Sequence, residues 1–350
     1  MSESVLKNKI YDVVIVGGGP AAYTAALFLK KKNTGIKLMM LVGGYDLEIG
    51  PGGQLTTTTT VDNYPGFPKG VQGPDLMETM EKQARKEGIE IVEKTVSLLT
   101  KVNENKDLFV LCTDKKYEKT EILNNLKKNI FGGNDQGMFL DQSIKLSKSV
   151  IVATGASANK LHCKNTDVFW NKGISACAVC DGFMFKDKKV VVIGGGDTAM
   201  EETSYLSNIC KEVVLVHRRN EFRAREDNLE KVKEIKNVSI LTPYELESCH
   251  GESVLKSIKI KNNLNDEKRE ITTDGLFFAI GHTPNTSFIS IEGVNILENK
   301  FLKTENEVLT NISGLFACGD VQDFVYRQGI TAAGSGCKAA LACLSFLSKQ

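Results

Sequence analysis

The feature that most constrains this chain is a glycine turn that occurs twice, each time between a β-branched strand and a helical pattern. Residues 11–16 form an apolar run, Gly17-Gly18-Gly19-Pro20 follows, and a helix is expected over 21–31. Residues 37–42 read as the next strand, which completes a β-α-β unit. The same order returns with a strand at 189–193, Gly194-Gly195-Gly196, a helix at 197–206 and a strand at 213–216. The spacings Gly17-x-Gly19-x-x-Ala22 and Gly194-x-Gly196-x-x-Ala199 have a physical meaning. The first glycine permits a tight turn, the second lets backbone approach a pyrophosphate, and alanine lets helix and strand pack closely. The diphosphate then meets the free N–H groups of the helix start. A chain of 350 residues has room for two such domains, at roughly 150 residues each. The expected fold is therefore α/β, with two Rossmann-like dinucleotide-binding domains.

Two further segments read as buried strands ending in glycine turns, 149–155 (SVIVATG) and 275–281 (GLFFAIG), and a third, 314–320 (GLFACGD), ends in an acid. Residues 329–347 are Ala-rich and periodic, which predicts a C-terminal helix on the core. Residues 124–143 are rich in Asn, Gly, Lys and Asp without hydrophobic period, and read as a surface loop or hairpin insertion.

The ends of the second strands differ. After the first fingerprint no ribose acid stands at the usual distance; the strand runs into Val42-Gly43-Gly44, and Glu48 comes late. Backbone groups are expected to hold that ribose. After the second fingerprint the sequence gives His217-Arg218-Arg219 and then Arg223. Guanidinium groups at that place match a 2′-phosphate, which points to NADPH rather than NADH. The bland alternative is a solvated basic strand end.

Nine cysteines are scattered, and only Cys177 and Cys180 stand close together. Their C-x-x-C spacing allows a small disulfide ring and exchange through a mixed disulfide. A zinc half-site or two structural cysteines are the alternatives, but the sequence has no second C-x-x-C or H-x-x-x-H to complete a zinc site. Asp181 is either a proton carrier beside the pair or an acid favoured at a helix start. His162, His217, His250 and His282 lack ligand spacing, so no metal site is expected; His217 stands beside the arginines and is a phosphate candidate. Lys plus Arg is 44 against 43 for Asp plus Glu, which gives no reason to expect nucleic acid or an anionic membrane as partner. The first ten residues carry no apolar signal core and no apolar run reaches membrane-spanning length, so a cytoplasmic protein is expected.

Together these residues resemble the low-molecular-weight thioredoxin reductases over nearly the whole chain. The similarity runs through GGGPAAYTAA (17–26), GGQLTTTT (52–59), DNYPGFP (62–68), ATGA (153–156), CAVCDG (177–182), GGGDTAMEE (194–202), HRR (217–219), AIGHTPNT (279–286), GLFACGDV (314–321) and YRQGITAAGSGC (326–337).

The resemblance implies more than periodicity does. The FAD-binding domain is expected to be discontinuous, 1–158 and 287–350, with the NADPH-binding domain, 159–286, inserted and carrying the C-x-x-C. It implies that Gly17, Gly18, Gly19, Pro20 and Ala21 border the flavin diphosphate. Gln54, Asn63, Gly155, Asp320, Arg327 and Gln328 lie along the rest of FAD, with Asp320 at the ribityl chain. On the NADPH side stand Gly194, Gly196, Asp197, Thr198, Glu201, His217, Arg218, Arg219 and Arg223. The implied activity is transfer from NADPH through FAD to the Cys177–Cys180 disulfide and on to thioredoxin. The implied assembly is a homodimer whose NADPH domain alternates between two arrangements, with Cys180, beside Asp181, as the flavin-proximal sulfur. Which sulfur attacks thioredoxin stays open. A same-fold NADPH-dependent reductase of another dithiol partner remains the alternative, since partner choice lies on the surface. A related ferredoxin or flavodoxin reductase needs no C-x-x-C. A cofactor-binding regulatory module without turnover has no use for an intact Cys177, Cys180 and Asp181.

Overall fold

In the strand Ile10–Val16 the apolar residues alternate between two faces, and both faces are buried. That is the pattern of a parallel strand covered on each side. Val13 and Ile15 pack against the helices Pro20–Lys32, Gly73–Lys86 and Gly329–Leu347. Val14 and Val16 face a second cluster with Leu99, Phe109, Leu111, Ile291 and Leu302. In this computed structural model residues 10–44, 50–58, 60–102, 107–126 and 142–350 are described. The chain divides into two compact units, Met1–Ser157 with Thr283–Gln350, and Ala158–His282.

Among the described residues the first unit holds a seven-stranded sheet. Glu90–Val92, Leu38–Leu41, Ile10–Val16 and Ile144–Val152 run parallel in that order. The far edge of Ile144–Val152 is shared. Its first residues pair antiparallel with Leu108–Cys112, which pairs in turn with Leu98–Val102. Its last three residues, Val150, Ile151 and Val152, pair parallel with Leu315–Ala317. The C-terminal part of the chain thus completes a sheet begun at residue 10, next to the first glycine turn. The helix Gly329–Leu347, 19 residues, is long and apolar enough by length and composition to cross a bilayer. Its Ala332, Ala339, Ala340 and Cys343 are buried in the core cluster shared with Pro20–Lys32. Gly336 permits this approach, since a Cβ there would sit 2.2 Å from the Ala21 carbonyl oxygen.

The second unit contains a parallel sheet of five strands among the described residues, in the order Ile174–Ser175, Gly275–Phe278, Lys189–Ile193, Glu212–Val216, Val238–Leu241. Val190, Val192, Val213 and Leu215 pack on the helices Asp197–Ser207 and Glu226–Lys233. Val191, Ile193, Val214 and Val216 point the other way, onto an antiparallel sheet of Tyr244–Gly251, Leu255–Asn262 and Lys268–Thr272. The α/β class and both β-α-β units follow the sequence pattern. The three-stranded antiparallel layer is an addition to it. The segment expected to be loop from 124 begins instead inside the helix Lys119–Leu126. Residues 127–141 of that insertion lie outside the described residues.

Candidate active site

The glycine turn of the first unit is set by contacts that exclude a side chain. Gly17 has φ +132°, and a Cβ on it would meet the Ala153 carbonyl oxygen at 2.1 Å. Gly18 is pressed against Val42, whose Cβ would lie 2.9 Å away. Gly19 is different: nothing lies within 4 Å of its Cβ position. It is the N-cap of Pro20–Lys32 and supplies no side-chain cap. Pro20 fits the first helical position because it has no N–H to leave unpaired. The helix therefore opens onto free space with uncapped N–H groups, which suits a diphosphate.

The other residues expected along FAD gather on the same unit. Gln54, in the 3-10 turn Gly53–Thr57, donates from Nε2 to the Ala156 carbonyl at 2.8 Å, beside Gly155 with φ +67°. The Asn63 amide donates to Gln328 Oε1 at 3.3 Å, across 265 residues of chain. Gln328 caps the helix Gly329–Leu347 through a reciprocal box with Thr331. Arg327 has φ +49° and bonds from Nη1 to the Phe324 carbonyl. Gly319 brings its neighbour Asp320 beside the first turn, for a Cβ at 319 would meet Ala21 Cβ at 3.0 Å. Asp320 keeps a window on solvent yet is surrounded by protein, and burial, helped by Asp323 and opposed by Arg327, pushes its carboxyl up to about 7. No hydrogen bond reaches that carboxylate from the described residues. An acid of this kind fits a ligand that brings its own hydroxyl donors, as a ribityl chain does. Gly43, in the position of the missing ribose acid, has φ +96°, and Gly44 donates its N–H to Thr95 Oγ1 at 3.0 Å. Glu48 lies outside the described residues.

In the second unit, Gly194 is held against Ala279 and Ala199, with a Cβ distance of 2.4 Å to the Ala279 carbonyl oxygen. Gly196 is the uncapped N-cap of Asp197–Ser207 and again opens onto empty space. Thr198 lies in that first turn, and Glu201 is exposed one turn on. Arg218, Arg219 and Arg223 are all exposed beyond the end of the strand Glu212–Val216. His217 is not exposed with them. Its ring is buried, stacks on Phe222 at 4.7 Å and donates from Nε2 to the Glu221 carbonyl at 3.1 Å. Burial is the main cause that holds its pKa below the ordinary value; the Glu221 hydrogen bond opposes this and the three arginines add to it. The ring fills the space in which Gly195 would carry a Cβ, 2.2 Å away. His217 thus supports the glycine turn from beneath.

Cys177 and Cys180 form a disulfide, S–S 2.06 Å and Cα–Cα 5.3 Å. Cys177 is half-buried as N-cap of the short helix Ala178–Asp181, and Cys180 is exposed. Cys177 Sγ accepts the Cys180 N–H at 3.3 Å. This helix packs on Asp197–Ser207; a Cβ at Gly182 would touch Leu206 Cδ2 at 2.9 Å. The dithiol and the second glycine turn are therefore fixed to one helix within one unit. Seven other cysteines are free, and none of those joins a metal-ligand cluster among the described residues.

Ser175 was not legible as a site residue. Its hydroxyl donates to Asp181 Oδ2 at 2.5 Å and accepts the Cys177 N–H at 3.0 Å. It links the acid to the backbone of the first sulfur. Burial raises the Asp181 carboxyl above its ordinary value, and the Ser175 hydrogen bond pulls it back.

Comparison with known proteins agrees with this geometry. Residues 11–336 match the family described as pyridine nucleotide-disulphide oxidoreductase. The chain is 39% identical to a thioredoxin reductase of Dictyostelium discoideum, over 97% of this chain and 98% of that one. It is likewise 39% identical to thioredoxin reductase 1 of Saccharomyces cerevisiae, over 96% and 97%. The solved thioredoxin reductase of Giardia duodenalis superposes with a TM-score of 0.82 at 34% identity, covering 97% of this chain and 99% of that one. The chain belongs to the pyridine nucleotide-disulphide oxidoreductases and, within them, to the low-molecular-weight thioredoxin reductases, NADPH-dependent flavoproteins that act on disulfides.

Proposed function

We propose that this chain reduces the disulfide of thioredoxin through its own Cys177–Cys180 pair. The observation that carries the reading is that pair: a closed C-x-x-C disulfide with one exposed sulfur and a buried-carboxyl neighbour, on a short helix packed against the helix that the second glycine turn opens. FAD belongs to 1–158 with 287–350, held by Gly17, Gly18, Gly19, Pro20, Ala21, Gln54, Asn63, Gly155, Asp320, Arg327 and Gln328. NADPH belongs to 159–286, held by Gly194, Gly196, Asp197, Thr198 and Glu201, with Arg218, Arg219 and Arg223 on its 2′-phosphate and His217 at their base.

Bound NADPH supplies a hydride, and bound FAD relays its two electrons to the disulfide. Cys177 and Cys180 take up those electrons and become thiols, with Cys180 as the flavin-proximal sulfur. Asp181, kept above its ordinary proton affinity, carries a proton to or from the pair. One thiolate then attacks the thioredoxin disulfide and forms a mixed disulfide. The second sulfur displaces thioredoxin as a dithiol and closes Cys177–Cys180 again. The enzyme acts as a cytoplasmic homodimer; seven cysteines left free suit a reducing compartment.

The test is direct. The purified protein is expected to be yellow, to bleach on anaerobic NADPH, and to regain its colour as thioredoxin from the same source gains two thiols. Bleaching with no thiol on thioredoxin, alongside reduction of a different dithiol protein, overturns the substrate. Light scattering and cell fractionation read the assembly and the compartment.

A further inference from the structure

The segment 217–225 carries Arg218, Arg219, Arg223 and Arg225, and all four are exposed. Arginines on a loose loop lose backbone and rotamer freedom when they clasp a ligand, and affinity falls accordingly. This segment is fastened. The Gly195 carbonyl accepts the N–H groups of Arg223, at 2.8 Å, and of Ala224, at 3.1 Å. One carboxylate oxygen of Asp197, Oδ1, accepts the Arg225 N–H at 3.0 Å and the Asn228 Nδ2 at 2.8 Å. Asn228 belongs to the helix Glu226–Lys233, for which Arg225 is an N-cap without side-chain cap. The Asn228 bond, then the Arg225 N–H, hold the Asp197 carboxyl below its ordinary value. The Arg225 guanidinium lies 3.7 Å from Asp197 but is 69% exposed, so it adds little.

Asp197 is an odd residue for a diphosphate site. A negative side chain in the first turn satisfies the helix dipole, but it repels the anion that the same helix start attracts. Its bonds give it another use. We propose that Asp197, with Asn228, is a positioning residue: it ties the arginine segment to the glycine-turn helix and so sets the preference for a 2′-phosphorylated nucleotide without touching the phosphate. This inference rests on the assignment of Arg218, Arg219 and Arg223 to that phosphate. It gives Asp197 a different task from that of the glycines beside it.

The experiment measures Kd for NADP⁺ and for NAD⁺ by titration of the full-length flavoprotein. Asp197→Ala is expected to weaken NADP⁺ roughly tenfold more than NAD⁺, the scale of losing hydrogen bonds to a charged acceptor. Asp197→Asn keeps an oxygen that accepts both N–H groups, so its NADP⁺ preference is expected to match the parent. A residue that served only as a helix-start charge would show the same change in Asp197→Ala and Asp197→Asn, since both remove the charge. Asn228→Ala is expected to shift preference in the same direction as Asp197→Ala, by several-fold. It also reads the same oxygen should Asp197→Ala not fold. Arg218→Ala with Arg219→Ala is the control for the phosphate assignment. If that control loses its NADP⁺ preference while Asp197→Ala and Asn228→Ala weaken both nucleotides alike, the tie is overturned and the phosphate assignment stands. If the control keeps its preference, the assignment fails and the tie falls with it.

Discussion

The Ser175 hydroxyl donates to Asp181 at 2.5 Å while it accepts the N–H of Cys177. One short side chain therefore connects the acid of the site with the backbone that carries the first sulfur. Removing it has opposite effects on the two partners. Asp181 loses a donor that stabilised its charged form, and the Cys177 N–H loses an acceptor.

The first prediction follows from that link. In Ser175→Ala the Asp181 carboxyl rises further, because burial then acts without the opposing hydrogen bond. In the step where Asp181 gives up a proton, activity is present below its pKa and falls as pH rises through it. That limb of the single-turnover pH profile is expected to move to higher pH in Ser175→Ala and to vanish in Asp181→Asn. An unmoved limb in Ser175→Ala would sever Ser175 from the proton step.

The second prediction concerns the sulfurs. Cys177→Ser and Cys180→Ser are each expected to abolish thioredoxin reduction, because a single sulfur cannot resolve a mixed disulfide. Bleaching of the flavin by NADPH is expected to persist in both, since no thiol takes part in it. Thioredoxin turnover near the parent rate in either variant would make the pair structural.

The two glycine faces of the first turn should behave differently. At Gly17 a methyl group collides with the Ala153 carbonyl, and φ is +132°. Backbone strain and overpacking, each about 1–3 kcal/mol, then act together. Gly17→Ala is expected to melt far below the parent or to be recovered insoluble. At Gly19, φ is −87° and the Cβ position is open. Gly19→Ala is expected to fold with little change in melting temperature and to carry less FAD, because its methyl occupies the place where the diphosphate approaches. Full flavin content in Gly19→Ala would move the diphosphate elsewhere.

A further prediction uses the proton affinity of Asp320. Its ordinary value of 3.8 is pushed up to about 7 in the fold. The folded protein thus binds the proton more tightly than the unfolded chain does. The stability this gives is fully present below about pH 4 and is lost as pH rises through about 7. Asp320→Asn has no such loss. In flavin-free protein its melting temperature is expected to match the parent near pH 4 and to exceed it increasingly toward pH 7. A constant difference across that range would show that Asp320 does not titrate there.

The elements whose signals are local were legible in the chain alone. A β-branched run, a glycine turn and an amphipathic helix are written in adjacent residues, so Lys189–Ile193 and Asp197–Ser207 sit where the pattern puts them. The arginines after the strand Glu212–Val216 and the C-x-x-C are likewise readable, because their chemistry depends on residue type and short spacing. The antiparallel layer 244–272 was also written locally, in the alternation of Leu255–Asn262, but it has no glycine fingerprint to mark it. The remainder depended on contacts between segments far apart in the chain. Asn63 meets Gln328 across 265 residues, and the strand Leu315–Ala317 completes the sheet of Ile10–Val16. Ser175 and Asn228 carry no motif; their roles arise from which carboxylate the fold sets 2.5 and 2.8 Å from them. His217 follows the same rule. Its place in the sequence marks it as a phosphate ligand, whereas packing turns its ring under Gly195, where a glycine leaves a hole of that shape. Local pattern fixes what a segment is, and burial fixes what each side chain faces, because a buried polar atom must find its partner wherever the chain has brought one.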